Sequence, residues 1–93
     1  MLTAFVLIDC DPGRIPEVAE RVANLTGVSE CYSVAGDYDL IAIVRVRDHE
    51  QLADVIADGI SKVNGVAKTK TLIAFRTYSK KELEQAFALG FED

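Results

Sequence analysis

Val22–Ala23–Asn24–Leu25–Thr26–Gly27–Val28 and Ile60–Ser61–Lys62–Val63–Asn64–Gly65–Val66 share one pattern. Each runs from an apolar helix end through a glycine stop to a valine that opens a strand. Glycine stops a helix there because it accepts the left-handed backbone that strains other residues. Upstream of the first copy, Ile15, Val18, Ala19, Val22 and Ala23 recur at helical spacing, and Pro16 suits a first turn. Upstream of the second, Leu52, Val55, Ile56, Gly59, Ile60 and Val63 form the equivalent stripe, with Asp48 as its N-cap.

Working outward, four short apolar segments rich in β-formers predict strands over 2–8, 28–35, 40–47 and 66–78. Asp9 to Gly13 is a turn cluster. A tight turn over Gly36–Asp39 makes the middle two strands a hairpin. The order is βαββαβ, with the same β-α-β unit used twice. This predicts an α+β, ferredoxin-like fold with an antiparallel four-stranded sheet. Ser79 and Glu82 have the spacing of a capping box, which opens a short C-terminal helix with Leu83, Ala86 and Phe87 on one face. The expected division is a domain over 1–78 and a helical extension over 79–93.

The composition agrees with one globular domain: 93 residues, 49% hydrophobic and 27% charged. The formal net charge of -5 lacks the basic footprint of a nucleic-acid binder. The densest basic region, Lys68, Lys70, Arg76, Lys80 and Lys81, is followed at once by acids, so direct nucleic-acid binding is not expected. Cys10 and Cys31 are not spaced as a metal or redox motif and read as core residues. No signal peptide and no apolar run of the ~20 residues needed to span a membrane is visible. The expectation is a cytoplasmic protein with reduced thiols, no metal and no cofactor.

Alternation along the strands carries more than the helices do. Leu2, Ala4, Val6 and Ile8 share one face, and Thr3, Phe5 and Leu7 the other. Leu40, Ala42, Val44 and Val46 oppose Ile41 and Ile43; Ile73 and Phe75 oppose Leu72 and Ala74. Both faces of the sheet are apolar, and two helices cover only one. An uncovered apolar sheet face marks an interaction surface. At about 800 Å² per partner and roughly 25 cal/mol per Å² it can drive a dimer. Homo-oligomerisation, sheet to sheet or by extension at a sheet edge, is therefore expected; the alternative is that Phe87, Leu89 and Phe91 of the terminal helix fold back over part of that face.

Nothing in the chain predicts catalysis. His49 sits at the start of the second helix beside Asp48 and Glu50, where solvation is the ordinary reading. No nucleophile elbow, phosphate loop or zinc motif is present. Two polar features stand out instead. Gly36–Asp37–Tyr38–Asp39 offers backbone N–H groups for a carboxylate, carboxylates for an ammonium group and an aromatic ring, the parts that hold a zwitterion. A plain polar turn has the same composition. Thr69 and Thr71 place two hydroxyls on one face of the last strand, either as a small polar pocket or from ordinary β-propensity.

Three stretches together give a resemblance. Val34–Ala35–Gly36–Asp37–Tyr38–Asp39–Leu40 resembles the Gly-Asp-Tyr-Asp type turn of the effector-binding (RAM) domain of the Lrp/AsnC regulators. Val63–Asn64–Gly65–Val66 is similar to that family's Pro-Gly-Val, with Asn64 in place of proline. Thr69–Lys70–Thr71 matches its Thr-x-Thr strand opening. The resemblance covers roughly residues 2 to 78. It implies dimers formed through the sheets, further assembly into octamer-like rings, and an amino acid or related effector bound at subunit interfaces. The implied ligand-binding residues are Gly36, Asp37, Tyr38, Asp39, Thr69 and Thr71, with Val34 and Ala35 at the pocket wall. The helix-turn-helix domain of full-length regulators is not seen before the first strand. The expectation is thus a stand-alone amino-acid-sensing and oligomerisation module that affects transcription by assembling with full-length regulators. A purely structural oligomerisation domain and a small dimeric enzyme, such as a cofactor-free oxygenase, are the alternatives.

Overall fold

Strand β1 (Leu2–Cys10) lies between two strands made much later in the chain. In the computed structural model, residues 1–80 are described. The sheet order is β2-β3-β1-β4, with β2 at Val28–Ser33, β3 at Leu40–Val46 and β4 at Val66–Ile73. All three pairings are antiparallel, as the βαββαβ reading requires. The expected capping box reaches Glu82, so it and the terminal helix fall outside the described residues.

A 3-10 turn at Pro12–Arg14 leads into α1 (Ile15–Ala23), which buries Val18 and Val22 on the sheet. The second helical segment starts as expected: Asp48 accepts from the Gln51 N–H at 2.8 Å. Gln51 in turn accepts from the Arg47 N–H at 2.8 Å. The α-helix α2 covers only His49–Ala53. The chain then widens into a π-helical turn at Asp54–Gly59 and tightens to a 3-10 turn at Ile60–Lys62. The buried stripe survives this change of period, with Leu52, Val55 and Ile60 in the core.

The two glycine stops meet the opposite halves of the molecule. Gly27 adopts φ 94°, and a Cβ there would stand 2.8 Å from Val55 Cγ2 and 3.2 Å from Val46 Cγ1. Gly65 adopts φ 107°, and a Cβ there would stand 2.8 Å from Val18 Cγ2. The Gly27 carbonyl accepts from the Arg45 N–H and the Gly65 carbonyl from the Asp11 N–H, each at 2.9 Å. Each stop therefore ends its own helical segment and receives a side chain from the other one. The sequence echo is the trace of this reciprocal contact.

Several element ends differ from the expected ones. β1 continues to Cys10, held by β4 across a register shift between Asp9 and Cys10. β4 stops at Ile73 and not at Tyr78: Ile73 pairs with Ala4, Ala74 makes one last bond to the Thr3 carbonyl at 2.8 Å, and in this register β1, which begins at Leu2, offers no residue opposite positions 76–78. The hairpin connection spans 34–39 and is longer than a tight turn. It is closed by the Val34 N–H donating to the Asp39 carbonyl at 3.0 Å.

Candidate functional site

The register settles which residues share a face. Ala4, Val6 and Ile8 align with Val44, Ala42 and Leu40, and all six are wholly buried under the helices. Thr71 and Thr69 pair with Val6 and Ile8, so both hydroxyls lie on this helix-covered side, at the β4 edge, and are half-buried. The other side carries Phe5, paired with Ile43 and Leu72, and Leu7, paired with Ile41 and Lys70. Phe5 is 37%, Leu72 48% and Tyr32 50% exposed. The apolar second face expected from the alternation is present and uncovered among the described residues; the alternative fold-back of Phe87, Leu89 and Phe91 lies outside them.

The open face has a polar margin that the sequence reading missed. Tyr32 donates its hydroxyl to Glu30. Glu30 also faces Arg45 at 3.8 Å. The bond to Glu30, reinforced by that carboxylate's charge, holds the Tyr32 phenol above its ordinary value. Period-two spacing of Glu30 and Tyr32, carried across the hairpin to Arg45, was the available signal.

The hairpin loop meets the sheet at the end of β1. The Asp39 N–H donates to the Ile8 carbonyl at 3.0 Å. The Asp39 carboxylate accepts from the Cys10 N–H at 2.8 Å. Ile8 pairs with Leu40 on one side and Thr69 on the other. The loop exit and Thr69 thus flank one residue of β1, about two strand spacings of ~4.8 Å apart. Gly36 and Asp37 are exposed, Ala35 also; Val34, Tyr38 and Asp39 are half-buried. Among the described residues nothing lies within 4 Å of where a Gly36 Cβ would stand, so the loop backbone is open to an approaching group.

Cys10 is buried and Cys31 half-buried, and both are free thiols. Burial, then the Asp39 and Asp9 carboxylates, push the Cys10 thiol up. Burial alone raises Cys31. These shifts suppress the thiolate, which is the reactive form. Among the described residues no group of three or more potential ligands gathers for a metal, and no helix is long and apolar enough to cross a membrane. His49 is exposed at the first position of α2.

An open groove of about 740 Å³ runs between α1 and the end of the second helical segment, lined by Arg14, Arg21, Leu25, Asp58 and Lys62 among others. It is separate from the loop and the Thr pair, and none of the eight expected ligand-binding residues lines it.

The four-stranded sheet with its two helical segments has a counterpart among known domains. A profile of the Lrp/AsnC ligand binding domain matches residues 3–83. The chain belongs to the Lrp/AsnC ligand-binding domain family. An uncharacterized HTH-type transcriptional regulator of Pyrococcus horikoshii is 37% identical over 82 residues, covering 85% of this chain and 55% of that protein. The chain spans about half the length of the curated relatives it matches. The crystal structure of TTHA0845 from Thermus thermophilus superposes with a TM-score of 0.82 at 49% identity, over 86% of this chain and 100% of that one. The feast or famine regulatory protein of M. tuberculosis, complexed with L-methionine, is 32% identical with a TM-score of 0.71, over 87% of this chain and 55% of that one.

Proposed function

We propose that this Lrp/AsnC domain is an amino-acid-sensing module that assembles through its open sheet face and binds its ligand at a boundary between subunits. The observation that carries the reading is the convergence at one sheet end: the Gly36–Asp39 loop and Thr69 flank the same β1 residue, Ile8. The loop brings backbone N–H groups, the exposed Asp37 carboxylate and Tyr38 for a zwitterion, Thr69 and Thr71 bring hydroxyls, and Val34 and Ala35 form the wall. A relative at 32% identity is complexed with an amino acid, which supports the ligand class. The ligand-binding unit is assigned to 1–78, with 79–93 as an extension.

The module acts by assembly. It joins its own copies, as a dimer or a larger ring, or full-length regulators of its family, and the ligand changes which assembly is populated. Screening the proteinogenic amino acids singly by thermal shift tests this. A ligand at 100 times its dissociation constant adds about 2.7 kcal/mol, a clear rise in melting temperature. Asp37→Ala and Thr71→Ala remove that rise. If none of the amino acids stabilises the protein at millimolar concentration, the sensing reading fails. The open apolar face then supports the second reading, a purely structural oligomerisation domain, in which the same variants leave assembly unchanged.

A further inference from the structure

The loop carries two carboxylates with different surroundings. Asp37 is exposed, and its carboxylate has no hydrogen-bond or ion-pair partner among the described residues. Asp39 is engaged by three neighbours. Its N–H donates to the Ile8 carbonyl at 3.0 Å and its own carbonyl accepts from the Val34 N–H at 3.0 Å. Its side chain accepts from the Cys10 N–H at 2.8 Å, in a part-buried setting.

The position of that third bond explains it. β3 begins at Leu40, opposite Ile8, so its ladder with β1 ends before Cys10. On the other side, β1 shifts register against β4 between Asp9 and Cys10. The end of β1 is thus the place where the sheet loses regular partners on both sides. An unpaired, part-buried backbone N–H is costly. The Asp39 carboxylate stands where the missing β3 carbonyl would accept. It joins the loop, the end of β1 and, through β1, the strand that carries Thr69.

We propose that Asp39 is a positioning residue that fastens the loop to β1, and that Asp37 is the carboxylate left to meet the ammonium group of the ligand. The ligand half of this assignment rests on the amino-acid reading above; the positioning half does not. A carboxylate has further lone pairs, so the two roles are separated by removing charge while keeping an acceptor. Asp39→Asn retains an oxygen for the Cys10 N–H but has no charge for an ammonium group. Asp37→Asn removes the charge from the other position, and Asp39→Ala removes both the charge and the acceptor.

The experiment compares the three variants and the parent protein by amide hydrogen exchange and by titration with the proteinogenic amino acids tested singly. Asp39→Ala is expected to speed exchange at Val34 and Cys10 by about tenfold or more, the loss of a bond to a charged acceptor. Asp39→Asn is expected to bring exchange back near the parent rate and to hold ligand affinity within about threefold, whereas Asp37→Asn leaves exchange unchanged and weakens affinity by about tenfold or more, the scale of a lost charge-assisted contact. Asp39→Asn exchanging as fast as Asp39→Ala overturns the positioning role. Asp39→Asn weakening the ligand as much as Asp37→Asn overturns the division of labour. If the parent protein binds no amino acid, the reading in the preceding section falls, and exchange alone decides the role of Asp39. If Asp39→Ala does not fold, the parent-like exchange of Asp39→Asn still decides it.

Discussion

The covered and open faces of the sheet come from alternate residues of the same strands, yet they meet different surroundings. Under the helices, Val6, Ile8, Leu40 and Val44 are wholly buried, with Val18, Val22 and Ile60 against them. On the open side, Phe5, Leu72 and Tyr32 keep between 37% and 50% of their surface in solvent. Even there the centre is shielded: Ile43, flanked by Phe5 and Glu30, is 8% exposed. The contrast separates two tasks. Burial on the covered face holds one chain together, and the apolar surface of the open face is what the proposed association would use.

The largest test of this contrast is Ile8→Ala. It removes a wholly buried side chain from the covered face and should cost about 3 kcal/mol or more in denaturant unfolding. Gly65→Ala comes next, at about 2 kcal/mol by the same measurement, because the new methyl must displace Val18 Cγ2 and occupy a left-handed backbone. Phe5→Ser with Leu72→Ser should cost less than about 1 kcal/mol in the unfolding of a single chain while weakening self-association measured by light scattering. If that pair destabilises a single chain as much as Ile8→Ala, the separation of tasks is wrong. Arg45→Ala, at the exposed margin, should shift stability by no more than about 0.5 kcal/mol, since its pair with Glu30 is open to solvent.

A pH test gives the smallest effect and concerns the two cysteines of the covered face, with Tyr32 of the open margin adding to the same alkaline slope. Both cysteine thiols are raised above their ordinary 9.0 in the folded chain. The folded state therefore holds these protons more tightly than the unfolded one. Their contribution to stability is fully present below pH 9.0 and is lost as pH rises through the folded values. Denaturation midpoints followed upward from neutral pH should fall on the alkaline side, and Cys10→Ala with Cys31→Ala should flatten that part of the slope.

The element order was legible because each signal was local. Ile15–Val22 spells a helix by its own spacing, Asp48 caps by its own carboxylate, and Gly27 and Gly65 mark stops where only glycine fits. What local reading missed was set by distant neighbours. Nothing within Ala74–Tyr78 says that β1 begins at Leu2 and offers nothing opposite positions 76–78, so the expected end of β4 lies too far along the chain. The π-helical turn at Asp54–Gly59 has the same apolar stripe as an α-helix would have. It lies where Gly59 lets Leu25 approach, a contact made across the two halves. At the site, the Gly36–Asp39 composition was visible, but the difference between its two carboxylates was not. That difference depends on the backbone N–H of Cys10, a residue whose sequence signals point to a turn cluster and to the core but not to a bond with the loop.

The central place of β1 also dictates an order of events during folding. The earliest of these four strands to be synthesised must wait for β3 on one side and β4 on the other. A nascent chain that has reached Gly36 holds β1, α1 and β2, but β2 touches neither edge of β1 in the finished sheet. The only sequence-local strand pair is the β2–β3 hairpin. Folding is therefore gated by chain closures of long reach, which are slow relative to local ones. Until Ile73 has emerged, one edge of β1 stands bare, and the nascent chain is most exposed to mispairing during that interval.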